Sequence, residues 1–94
     1  MYKGRFIWDP EKREKNLDKH GIDFTEAASV FDDENVIYFY DEPHSQDEDR
    51  FIAIGYSEYF KMLMVCHCYR NGDKLVRIIS ARPANSKERA MYWR

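Results

Sequence analysis

The sequence has no long apolar run. Nothing in it approaches the roughly 18 consecutive apolar residues of a membrane span. The start after Met1 lacks the basic, apolar and small-residue succession of a signal peptide. We therefore expect a cytoplasmic protein with no membrane attachment. With 94 residues there is also too little chain for two hydrophobic cores, so we expect one domain spanning 1–94.

Cysteine is scarce, with only Cys66 and Cys68 present. Two apart in a predicted strand, they point to one face but cannot reach disulfide geometry with each other. His67 between them points the other way and no C-x-x-C pair exists, so we expect no metal and no cofactor. The P-loop, G-x-G-x-x-G and G-x-S-x-G strings are absent as well, which argues against nucleotide, dinucleotide and α/β-hydrolase chemistry.

Basic residues are missing from one long segment. Residues 21–49 hold ten acids and no lysine or arginine, whereas residues 50–94 hold nine bases and three acids. The formal net charge of −2 hides this division. A net charge of +6 in the second segment predicts an anionic ligand there, with RNA the leading candidate. The alternative for any single lysine or arginine is that it only solvates the surface.

Capping signals predict three helices. Asp9 as N-cap, Pro10 at the first helical position and Gly21 as the stop bound a helix from Pro10 to about His20. A second, better buried helix follows, with Asp23 and a glutamate three residues later spaced like a capping box. Its apolar side chains recur at helical spacing: Phe24, Ala27, Ala28 and Phe31. After Pro83, either Asn85 or Ser86 caps a final helix.

Between these helices the apolar pattern favours strands. The segments "VIYFY" and "RFIAIGY" flank the turn-prone "DEPHSQDED", and "KMLMVCHCYR" and "KLVRIISAR" flank Asn71 and Gly72, the strongest hairpin signal. With Arg5 to Trp8 as an opening strand, the predicted order is β-α-α-β-β-β-α. This order indicates an α+β fold with an antiparallel sheet backed by helices.

Strand alternation groups the polar residues of the last hairpin. An even-numbered loop at Asn71–Gly72 places His67 and Arg82 on one face and Arg77 on the other. His67 could then meet Arg82 but not Arg77. An odd loop or a bulge would reverse that grouping.

Three stretches together resemble the BrnT family of ribonuclease toxins: "WDPEKREKNLDKHGIDFTEAASVFDD", "RFIAIGYS" and "VRIISARPANSKERAMY". The resemblance covers almost the whole chain. It implies a compact RelE-like nuclease that cuts RNA without a metal, inhibits translation and growth, and is held inactive by a cognate antitoxin. The resemblance further implies an antitoxin with a ribbon-helix-helix DNA-binding domain, so that operator DNA is contacted only through that partner.

Metal-free RNA cleavage needs a group that accepts the 2′-hydroxyl proton, a cation for the phosphate and a donor to the leaving oxygen. The candidate catalytic residues are His67, Arg77, Arg82, Glu88 and Tyr92. The first four have a structural alternative: a core histidine, arginines paired with acids, and a glutamate paired with an arginine. The general base stays open between His67, Glu88 and Lys19.

Further cations are candidates for RNA binding. Lys19 and His20 close the first helix, where they could equally serve the helix dipole. Arg50 opens "RFIAIGY" and could simply anchor the preceding loop, and Lys74 follows the hairpin turn.

A rival function is a non-catalytic module that binds RNA or protein with the same basic sheet. In either case we expect an antitoxin to cover the basic second half. The acidic stretch from Asp23 to Asp49 would then lie away from the interface or face the basic DNA-binding part of the partner.

Overall fold

In the computed structural model, which describes residues 2–94, the chain opens with a β-hairpin. β1 (Tyr2–Lys3) pairs antiparallel with β2 (Phe6–Ile7) across a turn in which Gly4 has φ +58°. The prediction of one opening strand is therefore wrong, and the order is β-β-α-α-β-β-β-α. The turn needs the positive φ that glycine adopts without strain.

The first helix, α1 (Pro10–His20), begins and ends where the capping signals predict. The Asp9 carboxylate accepts the Glu11 amide at 2.9 Å. Gly21 takes the left-handed conformation at φ +70° and donates its N–H to the Leu17 carbonyl at 2.9 Å. Both ends are set by local hydrogen bonds, which explains why the sequence alone predicts them.

The second helix, α2 (Phe24–Ser29), starts at Asp23 as predicted, but the expected capping box does not form. Glu26 turns away from the N-cap, is buried, and accepts the Ser57 hydroxyl at 2.8 Å. This contact joins α2 to the turn after the fourth strand. The helix ends in a short 3-10 turn, Val30–Asp32.

A six-stranded sheet forms one layer, in the order β1-β2-β6-β5-β4-β3. The remaining strands are β3 (Ile37–Tyr40), β4 (Phe51–Tyr56), β5 (Met62–Arg70) and β6 (Leu75–Pro83). Pairing is antiparallel except between β2 and β6, which run parallel, so the expectation of an antiparallel sheet holds for most but not all of it.

Two apolar clusters lie on opposite faces of the sheet. The helix face, covered by α1 and α2, holds the larger one, which includes Trp8, Phe24, Val30, Leu63, Val65 and Ile78. The other face holds a smaller cluster under the C-terminal helix α3 (Ser86–Tyr92), formed by Ile54, Met62 and Tyr92. Because α3 is short, it leaves the rest of this second face uncovered.

Where β6 extends past its pairing with β2, its free edge hydrogen-bonds to a side chain instead of a strand. β2 pairs with β6 only as far as Arg77. Further along, the buried Asn16 amide donates to the Ala81 carbonyl at 2.8 Å and accepts the Ala81 N–H at 3.0 Å. Asn16 therefore satisfies backbone groups that a neighbouring strand would otherwise pair, and it ties α1 to the sheet.

The hairpin between β5 and β6 keeps the predicted parity only near its turn. The loop spans residues 71–74, and His67 still pairs with Ile78 as an even loop requires. A β-bulge between Cys66 and His67 then shifts the register, so that Met64 pairs with Arg82. Arg82 consequently shares a face with Arg77 and not with His67, which corrects the predicted grouping.

No helix of the described residues is long and apolar enough to cross a membrane.

Candidate functional site

The sheet face opposite α1 and α2 carries four arginines on three adjacent strands, and we call it the arginine face. They are Arg50 at the start of β4, Arg70 on β5, and Arg77 and Arg82 on β6. Two buried thiols, Cys66 and Cys68, lie on the same face of β5, and Arg70 Nη1 is 3.1 Å from the Cys68 sulfur. The face thus combines guanidinium charge with an apolar floor.

Arg77 lies on β6, an interior strand of the sheet. It pairs in register with Cys68 on β5 and with Ile7 on β2, which fixes its backbone on both sides. Its side chain is half-buried, and it makes no ion pair within 4 Å among the described residues. A guanidinium in that situation can donate hydrogen bonds to two oxygens of a phosphate.

Arg82 is engaged by Glu88 of α3. Two nitrogens of the guanidinium donate to the two carboxylate oxygens, each at 2.8 Å. One of these oxygens also accepts the Asn85 amide at 2.9 Å, while Asn85 caps α3 by accepting the Glu88 N–H. The predicted final helix is confirmed, and of the two candidate caps it is Asn85, not Ser86, that caps it. Two candidate catalytic residues are therefore partners of each other.

The pKa of Glu88 lies below its ordinary value. Burial by itself would raise it, but the hydrogen bonds from Arg82 and Asn85 and the Arg82 charge outweigh the burial. Glu88 is therefore a carboxylate at neutral pH.

Glu48 joins two other arginines at the opposite end of the face. Its carboxylate lies 2.7 Å from Arg70 and 3.7 Å from Arg50. Burial opposes ionisation, but Arg70, Arg50 and the more distant Arg77 together lower its pKa. Glu48 could not be predicted from the sequence, because the acidic stretch gave no sign of which acid returns to the basic sheet. Arg70 could have been found, since it has the strand parity of Cys66 and Cys68.

Tyr92 holds α3 in place. Its hydroxyl donates to the Asp33 carboxylate at 2.7 Å, and the side chain is buried. Burial, followed by the hydrogen bond and charge of Asp33, raises the pKa of Tyr92 to about 12. The Tyr92 hydroxyl, a candidate catalytic group in the sequence, is therefore already hydrogen-bonded to Asp33.

His67 lies on the helix face with no exposed surface. Its Nδ1 is 3.2 Å from the Val65 carbonyl and its Nε2 is 3.3 Å from the Tyr69 hydroxyl. The ring meets Phe31 edge-on with centroids 4.9 Å apart. Burial lowers the pKa of His67 to about 4, so the ring is neutral at pH 7. This geometry gives it no access to a ligand on the arginine face.

The remaining cations predicted to bind RNA are spread over the molecule. Lys19 is exposed and His20 is half-buried on the last turn of α1. This helix covers the helix face, so neither residue lies on the arginine face. Lys74 is exposed in the turn between β5 and β6. Arg50 is the one member of this set that lies on the arginine face.

The two cysteines are not poised for nucleophilic or metal chemistry. Burial is the main cause that raises the pKa of Cys66 to about 11, and burial also raises the pKa of Cys68. His67, between them in sequence, points to the other face. The described residues contain no group of three or more histidine, cysteine, aspartate or glutamate side chains arranged to hold a metal ion.

Comparisons with known proteins place the chain in one family. A family model described as the ribonuclease toxin BrnT of type II toxin-antitoxin systems matches residues 8–88. A 1.1 Å crystal structure of the Brucella abortus ribonuclease toxin BrnT is similar, with a TM-score of 0.64 and 29% identity over 86% of this chain and 96% of that chain. No curated protein sequence matches. From its sequence and its fold, this chain belongs to the BrnT family of ribonuclease toxins of type II toxin-antitoxin systems.

Proposed function

We propose that this protein is an endoribonuclease that cuts RNA without a metal ion, and that the arginine face binds the scissile phosphate. The observation that carries the proposal is Arg77, a half-buried guanidinium on an uncovered sheet face with no carboxylate in contact among the described residues. A buried arginine is normally paired, so one left open is suited to an anionic ligand. Membership in a family of ribonuclease toxins supports RNA as that anion.

The Arg82–Glu88 pair supplies the proton acceptor and a second cation, and the leaving oxygen takes its proton from water. Of the three candidate bases, Glu88 alone lies on the arginine face. A carboxylate keeps further lone pairs beyond the two that Arg82 occupies, so Glu88 can accept a 2′-hydroxyl proton while held in position. Arg82 is placed to stabilise charge on the phosphate as the attacking oxygen arrives.

The test is cleavage of RNA by the purified protein, freed of its partner, in EDTA. We expect the wild type to cut RNA and to leave DNA of the same sequence intact, because DNA lacks the attacking 2′-hydroxyl. Arg77→Ala should lower the cleavage rate by about 100-fold, the loss typical when one charge-stabilising donor is removed. Arg5→Ala is the matched control, since its guanidinium lies over the Phe6 and Phe31 rings and away from this face. Full activity of Arg77→Ala, with the fold intact, would refute the assignment.

In the cell we expect this activity to inhibit translation and arrest growth. We further propose that the fold is RelE-like and that a cognate antitoxin with a ribbon-helix-helix domain neutralises the toxin by covering the arginine face. Operator DNA would then be bound only through the antitoxin. Expression of the toxin alone should arrest growth, and Arg77→Ala and Arg82→Ala should each relieve the arrest.

One observation favours the rival function, a module that binds RNA or protein without cutting it. Both oxygens of Glu88 already accept hydrogen bonds, and His67 is fully buried. RNA binding by the wild type with no cleavage product under any metal-free condition would favour this rival over the nuclease.

A further inference from the structure

We propose that the free edge of β3 takes an extended, basic segment of the antitoxin as a seventh strand of the sheet. β3 ends the strand order, so one of its sides has no neighbour in the sheet. The partner named here rests on the proposed function above. The binding mode rests on the edge itself.

The outward backbone groups of β3 can be assigned from its pairing with β4. The Asp41 N–H donates to the Arg50 carbonyl at 2.8 Å. Phe39 and Ile37, two and four residues earlier, direct their backbone groups to β4 in the same way. In an antiparallel ladder alternate residues bond the same neighbour, so Tyr38 and Tyr40 turn their N–H and C=O groups away from β4. No backbone hydrogen bond outside the sheet engages these groups in the part of the chain described.

The side chains of β3 leave this edge unprotected. Sheet edges are usually blunted by charges, prolines or bulges within the strand, and this strand has none of them. Tyr38 and Tyr40 are 48% and 49% exposed on the helix face, and Ile37 and Phe39 are half-buried beside the α3 cluster on the other. An added strand would cover apolar surface on both faces while it satisfies the backbone.

The charges around the edge select the occupant. Asp32 and Glu34 precede β3 and Glu42 follows it, all of them exposed and without an ion pair among the described residues. A segment that adds here therefore gains from lysine or arginine at both ends and an uncharged middle. A second copy of this chain would bring the same acids to the same edge, and an RNA strand would bring phosphates, so neither fits.

The sharpest test compares two substitutions of one outward residue. Tyr38→Pro removes the outward N–H and leaves the bonds to β4, whereas Tyr38→Thr keeps that N–H and loses the same ring. In the complex with the co-expressed antitoxin, the proline variant should bind at least about tenfold more weakly than the threonine variant, the equivalent of one lost hydrogen bond and a blocked strand. Hydrogen exchange of the Tyr38 and Tyr40 amides should slow in the wild-type complex.

Equal affinity of the two variants, or unchanged exchange of these amides on complex formation, would overturn the proposal. The proposal would also be overturned if, in the concentrated free protein, exchange of these amides slows and the mass doubles. The edge would then bind a second copy of the chain. RNA cleavage by the free variants keeps the two proposals apart. Both should cut RNA as the wild type does, and a wild type that cuts nothing refutes the nuclease while leaving the proline–threonine comparison valid.

The acids before and after β3 can be tested separately, through the rate at which the antitoxin associates. Glu34→Gln combined with Glu42→Gln should slow association with the antitoxin at low salt by several-fold. Glu11→Gln combined with Asp18→Asn removes the same charge from α1 and should leave the rate near that of the wild type. Equal rates for the two double variants would overturn the basic character assigned to the segment.

Discussion

At the scale of single residues, Asp23 shows how one side chain can serve two elements. Its carboxylate caps α2 by accepting the Thr25 amide at 3.1 Å. It also accepts two hydrogen bonds from the Arg13 guanidinium of α1, at 3.0 and 2.8 Å. The hydrogen bond from Arg13 is the largest cause that lowers the pKa of Asp23 to about 2. The residue therefore joins the two helices that cover the helix face.

This shift predicts an acid-dependent loss of stability. The unfolded-state pKa is near 3.8 and the folded one near 2, so the stabilisation by charged Asp23 is full above about pH 4 and is lost as the pH falls towards 2. Asp23→Asn keeps a capping side chain but removes the charge. Urea unfolding of both proteins at pH 6, 4, 3 and 2 should show a difference that narrows over that window. Asp18→Asn, also on α1, should track the wild type, and a difference for Asp23→Asn that is constant with pH would contradict the prediction.

At the scale of elements, α3 depends on its contacts for its existence. Seven residues are too few for a helix that is stable by itself in water. The Arg82–Glu88 pair and the Asn85 cap hold its start, and the Tyr92–Asp33 hydrogen bond holds its end. Since the same helix carries Glu88, the position of the proposed base depends on these anchors.

Tyr92→Phe removes the hydrogen bond to Asp33 at the end of α3 and keeps the shape of the side chain, so it should destabilise this end of the helix. Tyr92→Phe loses a hydrogen bond to a carboxylate and should lower the free energy of unfolding by about 1–2 kcal/mol in urea. Asp33 keeps the Tyr56 and Asn35 amides as donors, so it is not left without partners. Tyr59→Phe, an exposed tyrosine in the turn after β4, is the control and should change little. Equal stability of the two variants would show that packing alone holds α3.

At the scale of the whole molecule, the fold converts a charge division along the chain into a division in space. Four of the six arginines in residues 50–94 converge on one sheet face, whereas exposed acids precede and follow β3. One protein with a formal net charge of −2 can therefore present one surface to an RNA backbone and another to a basic polypeptide.

This division predicts a salt dependence for RNA binding that belongs to the arginine face. The affinity for single-stranded RNA should fall linearly on a log–log plot against salt, because phosphate contacts release counterions. Arg77→Ala should reduce that slope by about 0.7, the value for one contact to a single strand. Lys19→Ala tests the cation on α1 in the same assay and should leave the slope unchanged. If Lys19→Ala reduces the slope and Arg77→Ala does not, the RNA binds on the helix face and the prediction is wrong.

The elements that the sequence predicts well are those set by neighbours in the chain. The cap at Asp9, the stop at Gly21 and the cap at Asn85 each work through hydrogen bonds within a few residues, and all three are where the sequence predicts them. The hairpin at Asn71 follows for the same reason. The family, too, is contained in the sequence, because its motifs run along the whole chain.

Long-range geometry decided the rest. A bulge at His67 turned Arg82 towards Arg77, and no local signal marks where a ladder gains a residue. Glu26 accepts the Ser57 hydroxyl instead of forming the capping box, and Glu48 of the acidic segment pairs with Arg70. A buried or half-buried carboxylate needs a hydrogen-bond partner, and the fold brings these two near. The sequence by itself determined the elements, the charge and the family. Only tertiary structure decided which side chains share a face, because strand register depends on contacts between residues far apart in the chain.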